Sequence, residues 1–245
     1  TLIFLGYLIF SASYNDRNNL IVIILLTLFM MLFFALQMQL HGLVVLFAER
    51  NVHKIFLGLH MPAATMQMLN PSYIIMFGPI IAAIFTKLGN KFTIFRLVLS
   101  FALMALCFII FYMGCLSADE NGKVDYVYLL AGIAAMSIGE LCISPFVLAQ
   151  CTLLAPRHLK GIMMGIVMMA IGFSNLAGYI IAKLVSVPSH KGVVNSLVSL
   201  EVYKEGFYNI AVYNVAVILL VIVVAKFIHN VIIDSDKTTS KKKSF

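Results

Sequence analysis

Glu140 is the one acidic residue deep inside a long apolar stretch of the sequence. A carboxylate at the centre of a membrane helix costs at least about 2.5 kcal/mol on insertion scales, so a residue of this kind usually has a function. As a carboxylate it can pair with the ammonium group of a ligand, and as a buried acid it can carry a proton. The alternative is a structural ion pair with a Lys or Arg of another helix.

Three more polar residues lie at helical spacing inside apolar runs. Ser144 follows Glu140 by four residues on the same helical face, and Pro145 frees a backbone carbonyl near the middle of that run. In another run Gln67 and Asn70 share one face. We expect Ser144 to form a cavity wall with Glu140, and Asn70 to be an amide that faces a ligand. An interhelical hydrogen bond, commonly worth about 1 kcal/mol or less in membranes, is the alternative for Asn70.

Gln37, Gln39 and His41 interrupt the first apolar run. Helical spacing puts Gln37 and His41 on one face and turns Gln39 away from them. We expect both glutamines to line the cavity. His41 is the only histidine well inside an apolar run, and a histidine can change its charge near neutral pH, so it is a candidate proton carrier. A neutral hydrogen-bond partner is its alternative role.

The elements that must position these residues are six apolar runs, each long enough to cross a hydrocarbon layer of about 30 Å. With 62% hydrophobic residues, 11% charged residues and a mean hydropathy of +1.02, the chain has more apolar surface than a soluble core of this length can bury. The sequence therefore predicts an all-α integral membrane protein. The runs are residues 20–48, 66–87, 94–116, 126–154, 160–186 and 207–233, and the predicted loops are 14–19, 49–65, 87–91, 117–125, 156–160 and 187–206.

The basic residues predict the orientation of these spans. When the loops alternate between the two sides, most Lys and Arg fall on one side, which the positive-inside rule makes cytoplasmic. The tail, residues 234–245, then lies in the cytoplasm, and its Lys triplet suits solvated disorder next to anionic lipid. The net charge of +7 forms no basic patch interleaved with aromatic residues, so no nucleic-acid partner is expected. The side taken as cytoplasmic carries Arg17, Lys87, Lys91, Arg96, Arg157, Lys160 and the lysines of 237–243.

Other kinds of chemistry find no support in the sequence. The four cysteines lack CxxC spacing and lie in or beside apolar runs, so we expect small hydrophobic residues rather than a metal site or disulfides. No phosphate loop, HExxH or nucleophile elbow occurs, so we expect neither an enzyme nor a cofactor. Small residues between Gly161 and Gly178 predict close packing of helix backbones. The apolar start at Thr1, without a signal peptide, predicts that the chain begins inside a longer protein.

An ordered set of short motifs resembles the proton-dependent oligopeptide transporters of the major facilitator superfamily. The resemblance covers about residues 20–233 and implies the last six helices of that family, hence the C-terminal half of a carrier. It makes 1–19 the end of a linking helix and a cytoplasmic loop, 20–233 a six-helix bundle and 234–245 a basic cytoplasmic tail. The motifs are Phe33-Phe-Ala-Leu-Gln-Met-Gln39, Phe47-Ala48, Gln67-Met-Leu-Asn-Pro71, Pro79, Gly139-Glu140, Ser144-Pro145, Leu154-Ala-Pro156 and Gly161-Ile-Met-Met-Gly165.

The resemblance implies a proton-coupled importer of di- and tripeptides in the cell inner membrane, which needs an N-terminal half that this chain does not supply. Glu140 and Asn70 would meet the amino end of the peptide, and Ser144 would line the same cavity. Val167 stands where the family has a cavity Trp. The family often has a proton-coupling acid in its seventh helix, but no Asp or Glu occurs between Asn18 and Ala48, so either His41 substitutes for that acid or the acid lies elsewhere. A carrier for another small solute, such as an amino acid, nitrate or a drug, and a non-transporting truncated membrane protein are the alternatives.

Overall fold

The computed structural model describes residues 14–56, 58–62, 65–88, 93–156, 158–184 and 196–243. These ranges are mostly helical, and the one strand pair among them is the antiparallel hairpin of β1 (Ile55–Phe56) and β2 (Leu59–His60). A short 3-10 helix covers Met38–Leu40. The α-helices are α1 (Tyr14–Gln37), α2 (Leu43–Asn51), α3 (Thr65–Leu88), α4 (Thr93–Leu116), α5 (Tyr126–Leu154), α6 (Lys160–Leu184) and α7 (Ser196–Lys243).

Six spans in the described part of the chain are long and apolar enough to cross a membrane. The first, Arg17–Asn51, combines α1, the 3-10 helix and α2, and the other five lie in α3 to α7. The predicted all-α membrane architecture is therefore confirmed. The helix α5 begins and ends at the residues that the hydropathy pattern predicts.

Several predicted loops are helical. Residues 14–19 belong to α1, residues 49–51 to α2 and residues 196–206 to α7, so these parts of the loop predictions are wrong. The helix α7 also continues as far as Lys243, where the sequence predicts a disordered tail. Hydropathy marks where lipid ends, whereas a helix ends where its backbone hydrogen bonds end, and polar residues can prolong it into water. The predicted linking-helix piece, residues 1–12, and the loop residues 187–195 lie outside the described residues.

The first span is broken in its middle. Its α-helix ends at Gln37, the 3-10 turn follows, and Gly42 has φ −117° and ψ −85° before α2 begins. The prediction that Gln37 and His41 share a helical face is therefore wrong, because no continuous helix connects them. Gln39 fixes this break, since its Nε2 donates hydrogen bonds to the carbonyls of Gly178 (2.9 Å) and Ala35 (3.3 Å).

Close backbone packing is confirmed at only one end of α6. A Cβ atom added to Gly178 would lie 2.7 Å from Met38 Cβ and 3.1 Å from the Ala35 carbonyl oxygen, so only glycine fits there. A Cβ atom added to Gly161, Gly165 or Gly172 would meet no atom of the described residues of other elements within 4 Å. The expectation of close packing is wrong for these three within the described chain, because the helix face that they form has no neighbouring helix here.

The core lies around α4, which packs mainly against α5 and α7, while α1 packs against α6 and α5 and α3 packs against α5. Edge-to-face ring contacts join the first span to the core. The ring centroids of Phe33 and Phe101 lie 5.9 Å apart, and those of Phe47 and Phe207 lie 5.1 Å apart. Gly132 lets α4 approach α5 closely, since a Cβ atom added to Gly132 would lie 2.3 Å from the Phe111 ring. This core holds the middle of α5 firmly against its neighbours.

Candidate functional site

Glu140 lies at the midpoint of α5, fourteen residues after Tyr126 and fourteen before Leu154. At 1.5 Å per residue it is about 21 Å from each helix end. Its side chain is partly buried. One carboxylate oxygen, Oε2, accepts a hydrogen bond from Gln37 Nε2 (2.5 Å) and one from Asn70 Nδ2 (3.2 Å). Three spans thus meet at this carboxylate.

Ser137 orients the Asn70 amide. Its hydroxyl lies 2.5 Å from Asn70 Oδ1 and 2.8 Å from the Ile133 carbonyl, and it can donate to either acceptor. When Oδ1 accepts from Ser137, the Nδ2 group of Asn70 points to Glu140. Sequence reasoning missed Ser137, although it precedes Glu140 by three residues on the same face. Serines in membrane helices commonly bond to their own backbone, so the residue type alone gave no signal. We call Gln37, Asn70, Ser137 and Glu140 the amide–carboxylate cluster.

No cation neutralises Glu140 in the described part of the protein. The ion pairs within 4 Å there are His53–Asp119 and Lys204–Glu201, so the structural ion pair considered for Glu140 is not seen. Its second oxygen, Oε1, accepts no hydrogen bond from any described residue. A carboxylate with neutral donors on one oxygen and an open second oxygen attracts a cation in a medium of low dielectric.

The structure does not bring three other predicted site residues into the cluster. Ser144 lies one turn beyond Glu140 on α5 and is partly buried, and Gln67 lies near the start of α3 and is exposed. Within the described residues neither side chain makes a hydrogen bond. His41 is exposed at the break of the first span. Its backbone N–H donates to the Met38 carbonyl (3.1 Å), and no hydrogen bond joins its ring to Glu140.

Two predicted cavity-lining residues have other surroundings. Gln39 is buried and holds α6 through backbone carbonyls, so its amide is used in packing. Val167 is 1% exposed and belongs to the hydrophobic core. Neither the type of these residues nor their position in a motif shows whether they face a cavity or a neighbouring helix, because that depends on how the helices pack. Gln37, in contrast, contacts Glu140 directly.

A second polar cluster joins the end of α2, the loop between α4 and α5, and the start of α7. Asn51, the last residue of α2, is fully buried, and its Nδ2 donates to the carbonyls of Gly122 (2.9 Å) and Ser196 (2.8 Å). Its Oδ1 accepts from the Ser199 hydroxyl (2.7 Å). The backbone strengthens the same junction, because the N–H of Val124 donates to the Asn51 carbonyl (2.7 Å). We call Asn51, Gly122, Ser196 and Ser199 the Asn51 junction.

The loop beside the Asn51 junction is ordered by Asp119. The backbone N–H of Lys123 donates to Asp119 Oδ1 (2.8 Å) and lowers the pKa of that carboxyl below its usual range. The N–H of Asn121 (2.9 Å) and the His53 ring, whose Nε2 lies 3.2 Å from Oδ2, act in the same direction. Gly122 completes the turn at φ +70°, where a side chain would be strained.

The described part of the chain is thus a helical bundle with six spans long and apolar enough to cross a membrane and a carboxylate at the middle of one of them. The chain belongs to the POT family, whose sequence profile matches residues 3–200. It is therefore a multi-pass protein of the cell membrane.

Two relatives are named dipeptide and tripeptide permease A. The one from Salmonella typhimurium strain LT2 is 33% identical over 239 residues, which are 96% of this chain and 47% of the relative. The one from Escherichia coli K12 is 33% identical over 221 residues, 90% of this chain and 44% of the relative. The chain thus spans about half the length of the curated relatives that it matches.

Solved structures show the same correspondence. A crystal structure of a peptide transporter POT in complex with sulfate superposes with a TM-score of 0.78 at 21% identity, covering 94% of this chain and 45% of that one. Tetrameric PepTSo2 superposes with a TM-score of 0.75 at 28% identity, with 94% and 46% covered. The fold of this chain is therefore that of half a POT transporter.

Proposed function

We propose that this chain is the C-terminal half of a proton-coupled transporter that imports di- and tripeptides by alternating access. The observation that carries the proposal is the open Oε1 of Glu140, a midspan carboxylate held only by neutral amides. A peptide ammonium group can take that position as a cation with three donors. The names of the two permeases support the substrate class.

Each member of the amide–carboxylate cluster has a place in this proposal. Glu140 binds the peptide ammonium group and, on another step of the cycle, a proton. Asn70 presents its Nδ2 to the same carboxylate, and the Ser137 hydroxyl holds the Asn70 amide in that orientation. Ser144 on α5 and Gln67 on α3 extend the cavity wall. His41, exposed at the break of the first span, is the second candidate proton carrier.

The proposed partners other than the peptide follow from the fact that this chain matches only about half the length of its relatives. An N-terminal six-helix half closes the cavity and supplies groups for the peptide carboxylate, since substrate sites of this superfamily lie between two halves. The basic C-terminal end of α7 faces the cytoplasm and anionic lipid, by the asymmetry of Lys and Arg between the two sides.

Uptake of a labelled dipeptide by the complete transporter in proteoliposomes tests the proposal. Glu140→Gln keeps the shape and removes the charge, and losing one member of a hydrogen-bonded charge pair costs about 2 kcal/mol or more, so uptake driven by a proton gradient should fall about 30-fold or more. Thr27→Val is the matched control, because the Thr27 hydroxyl is buried and bonds only to its own helix at the Ile23 carbonyl. Full uptake by Glu140→Gln contradicts the proposal.

A peptide panel separates the proposed cargo from other solutes. A dipeptide with a free amino end should compete with the labelled substrate, and the same peptide with an acetylated amino end should not, because acetylation removes the charge that Glu140 binds. Competition by nitrate or by a drug, without competition by dipeptides, means a carrier for another solute. The absence of all uptake by the complete protein means a non-transporting membrane protein.

A further inference from the structure

Gln37 contains an unused hydrogen-bond acceptor beside Glu140. The residue is 3% exposed, its Nε2 donates to Glu140 Oε2, and its own Oε1 is buried without a hydrogen-bond partner among the described residues. A buried carbonyl oxygen without a partner is unfavourable, so its persistence at a functional cluster calls for an explanation. The inference below rests on the proposed function, in which Glu140 takes up a proton.

The two protonation states of a carboxyl group need opposite partners. An ionised carboxylate only accepts hydrogen bonds, whereas a protonated carboxyl must donate its O–H to an acceptor. A carboxamide has a donor on one side and an acceptor on the other, in nearly the same shape. A half-turn of the Gln37 carboxamide therefore replaces its donor with its acceptor at the same place.

Asn70 is less free to make this exchange. Its Oδ1 is within 2.5 Å of the Ser137 hydroxyl, so a half-turn of its amide breaks that hydrogen bond unless the hydroxyl turns to Ile133 as well. Gln37 loses nothing on its far side, because its Oε1 has no hydrogen bond to break. Of the two amides that contact Glu140, Gln37 is the one that can turn alone.

We propose that Gln37 is a positioning residue that keeps Glu140 hydrogen-bonded in both its ionised and its protonated form by turning its carboxamide over. In the ionised form Nε2 donates to the carboxylate, which is the arrangement of the two side chains in the structure. When a hydronium ion transfers its proton to Oε2 of Glu140 and leaves as water, Gln37 turns and its carbonyl oxygen accepts the new O–H. The protonated carboxyl then stays in place instead of seeking another acceptor.

In the described part of the protein, no charged side chain on the elements packed against α5 contacts Glu140 directly. Within the described residues no ion pair or hydrogen bond links Glu140 to a charged or titratable side chain of the first span, α3, α4 or α6. The charged or titratable side chains described on those elements are Arg17, His41, Glu49, Arg50, Tyr73, Lys87, Arg96, Cys107, Tyr112, Cys115, Lys160, Tyr179 and Lys183.

Infrared difference spectroscopy on the chain itself tests the proposal. The spectrum at acidic pH minus that at neutral pH should show the C=O stretch of protonated Glu140, identified by its loss in Glu140→Gln. In Gln37→Met, a side chain of similar length without a carbonyl, this band should shift to higher frequency because the acid has lost its acceptor. Gln39→Met is the matched control, since Gln39 is equally buried and bonds to α6 instead.

An unchanged Glu140 band in Gln37→Met overturns the proposal. Where Gln37→Met fails to fold, glutamine labelled with carbon-13 at its carboxamide gives the same answer in the unmutated chain. One labelled C=O band should shift to lower frequency on acidification and should remain unshifted in Glu140→Gln. No shift of any labelled band also overturns the proposal.

Transport by the complete protein separates this inference from the proposed function. Gln37→Met should reduce uptake driven by a proton gradient about 10-fold more than it reduces substrate exchange without a gradient, because a loss near 1.4 kcal/mol falls on the step that moves the proton. Equal loss of both activities overturns the positioning role. If the unmutated protein moves no peptide, the proposed function fails and the infrared result still decides the role of Gln37.

Discussion

Asn51 gives the sharpest test of what holds the bundle together. Its side chain makes three hydrogen bonds that join α2, the loop between α4 and α5, and the start of α7. Asn51→Ala removes all three and leaves the Gly122 carbonyl without its side-chain partner. With about 1 kcal/mol for each buried hydrogen bond, the free energy of unfolding should fall by about 3 kcal/mol. Ser199→Ala removes one of the three and should cost about 1 kcal/mol.

Equilibrium unfolding in mixed detergent micelles measures these differences. Asn121→Ala is the matched control, because Asn121 is an exposed asparagine of the same loop and bonds to Asp119 only through its backbone N–H. It should change the free energy of unfolding by less than about 0.5 kcal/mol. If Asn51→Ala costs no more than Asn121→Ala, the Asn51 junction does not stabilise the bundle and the reasoning is refuted.

Three further predictions concern packing, pH and thiols. Gly178→Ala should destabilise the chain by about 1–3 kcal/mol through its clash with Met38, whereas Gly165→Ala in the same helix should be neutral or slightly stabilising, and a thermal shift in detergent should separate the two. The depressed pKa of Asp119 means that this group stabilises the fold above its ordinary value of 3.8 and that the stabilisation is lost as the pH falls through the lower folded pKa, so Asp119→Asn should reduce the loss of stability on acidification from pH 6. A polar maleimide should leave the folded protein unlabelled and should label it after denaturation, because all four cysteines are free and buried; they are Cys107, Cys115, Cys142 and Cys151.

The six spans and Glu140 could be predicted from the sequence for the same reason. Lipid penalises every exposed polar group, so apolar runs mark the spans and a lone carboxylate inside one of them stands out. The family resemblance also puts Asn70 at the same end of the peptide as Glu140, and the structure has the two side chains in contact. These inferences need only the sequence, because the cost of exposing a polar group to lipid is the same for every span.

The break in the first span and the role of Ser137 depend on contacts that the sequence does not display. The packing around the break is tightest where Met38 meets Gly178 on α6, and Gln39 binds a carbonyl of that helix 139 residues further on. A pattern of four-residue spacing therefore placed His41 beside Gln37 although the helix between them ends. Ser137 looks like an ordinary serine that bonds to its own helix until Asn70 is seen against it.

The uncovered helix faces show what kind of neighbour the bundle needs. Large apolar side chains such as Ile75 on α3 (77% exposed) and Leu176 on α6 (60% exposed) suit lipid and another protein equally well. The open glycines of α6 distinguish the two, because glycine in a helix costs up to about 1 kcal/mol relative to alanine and lipid gains nothing from it. Gly161, Gly165 and Gly172 provide room for a helix backbone to approach closely. This face therefore fits a protein neighbour better than lipid, which supports the proposal that a second half completes the cavity beside Glu140.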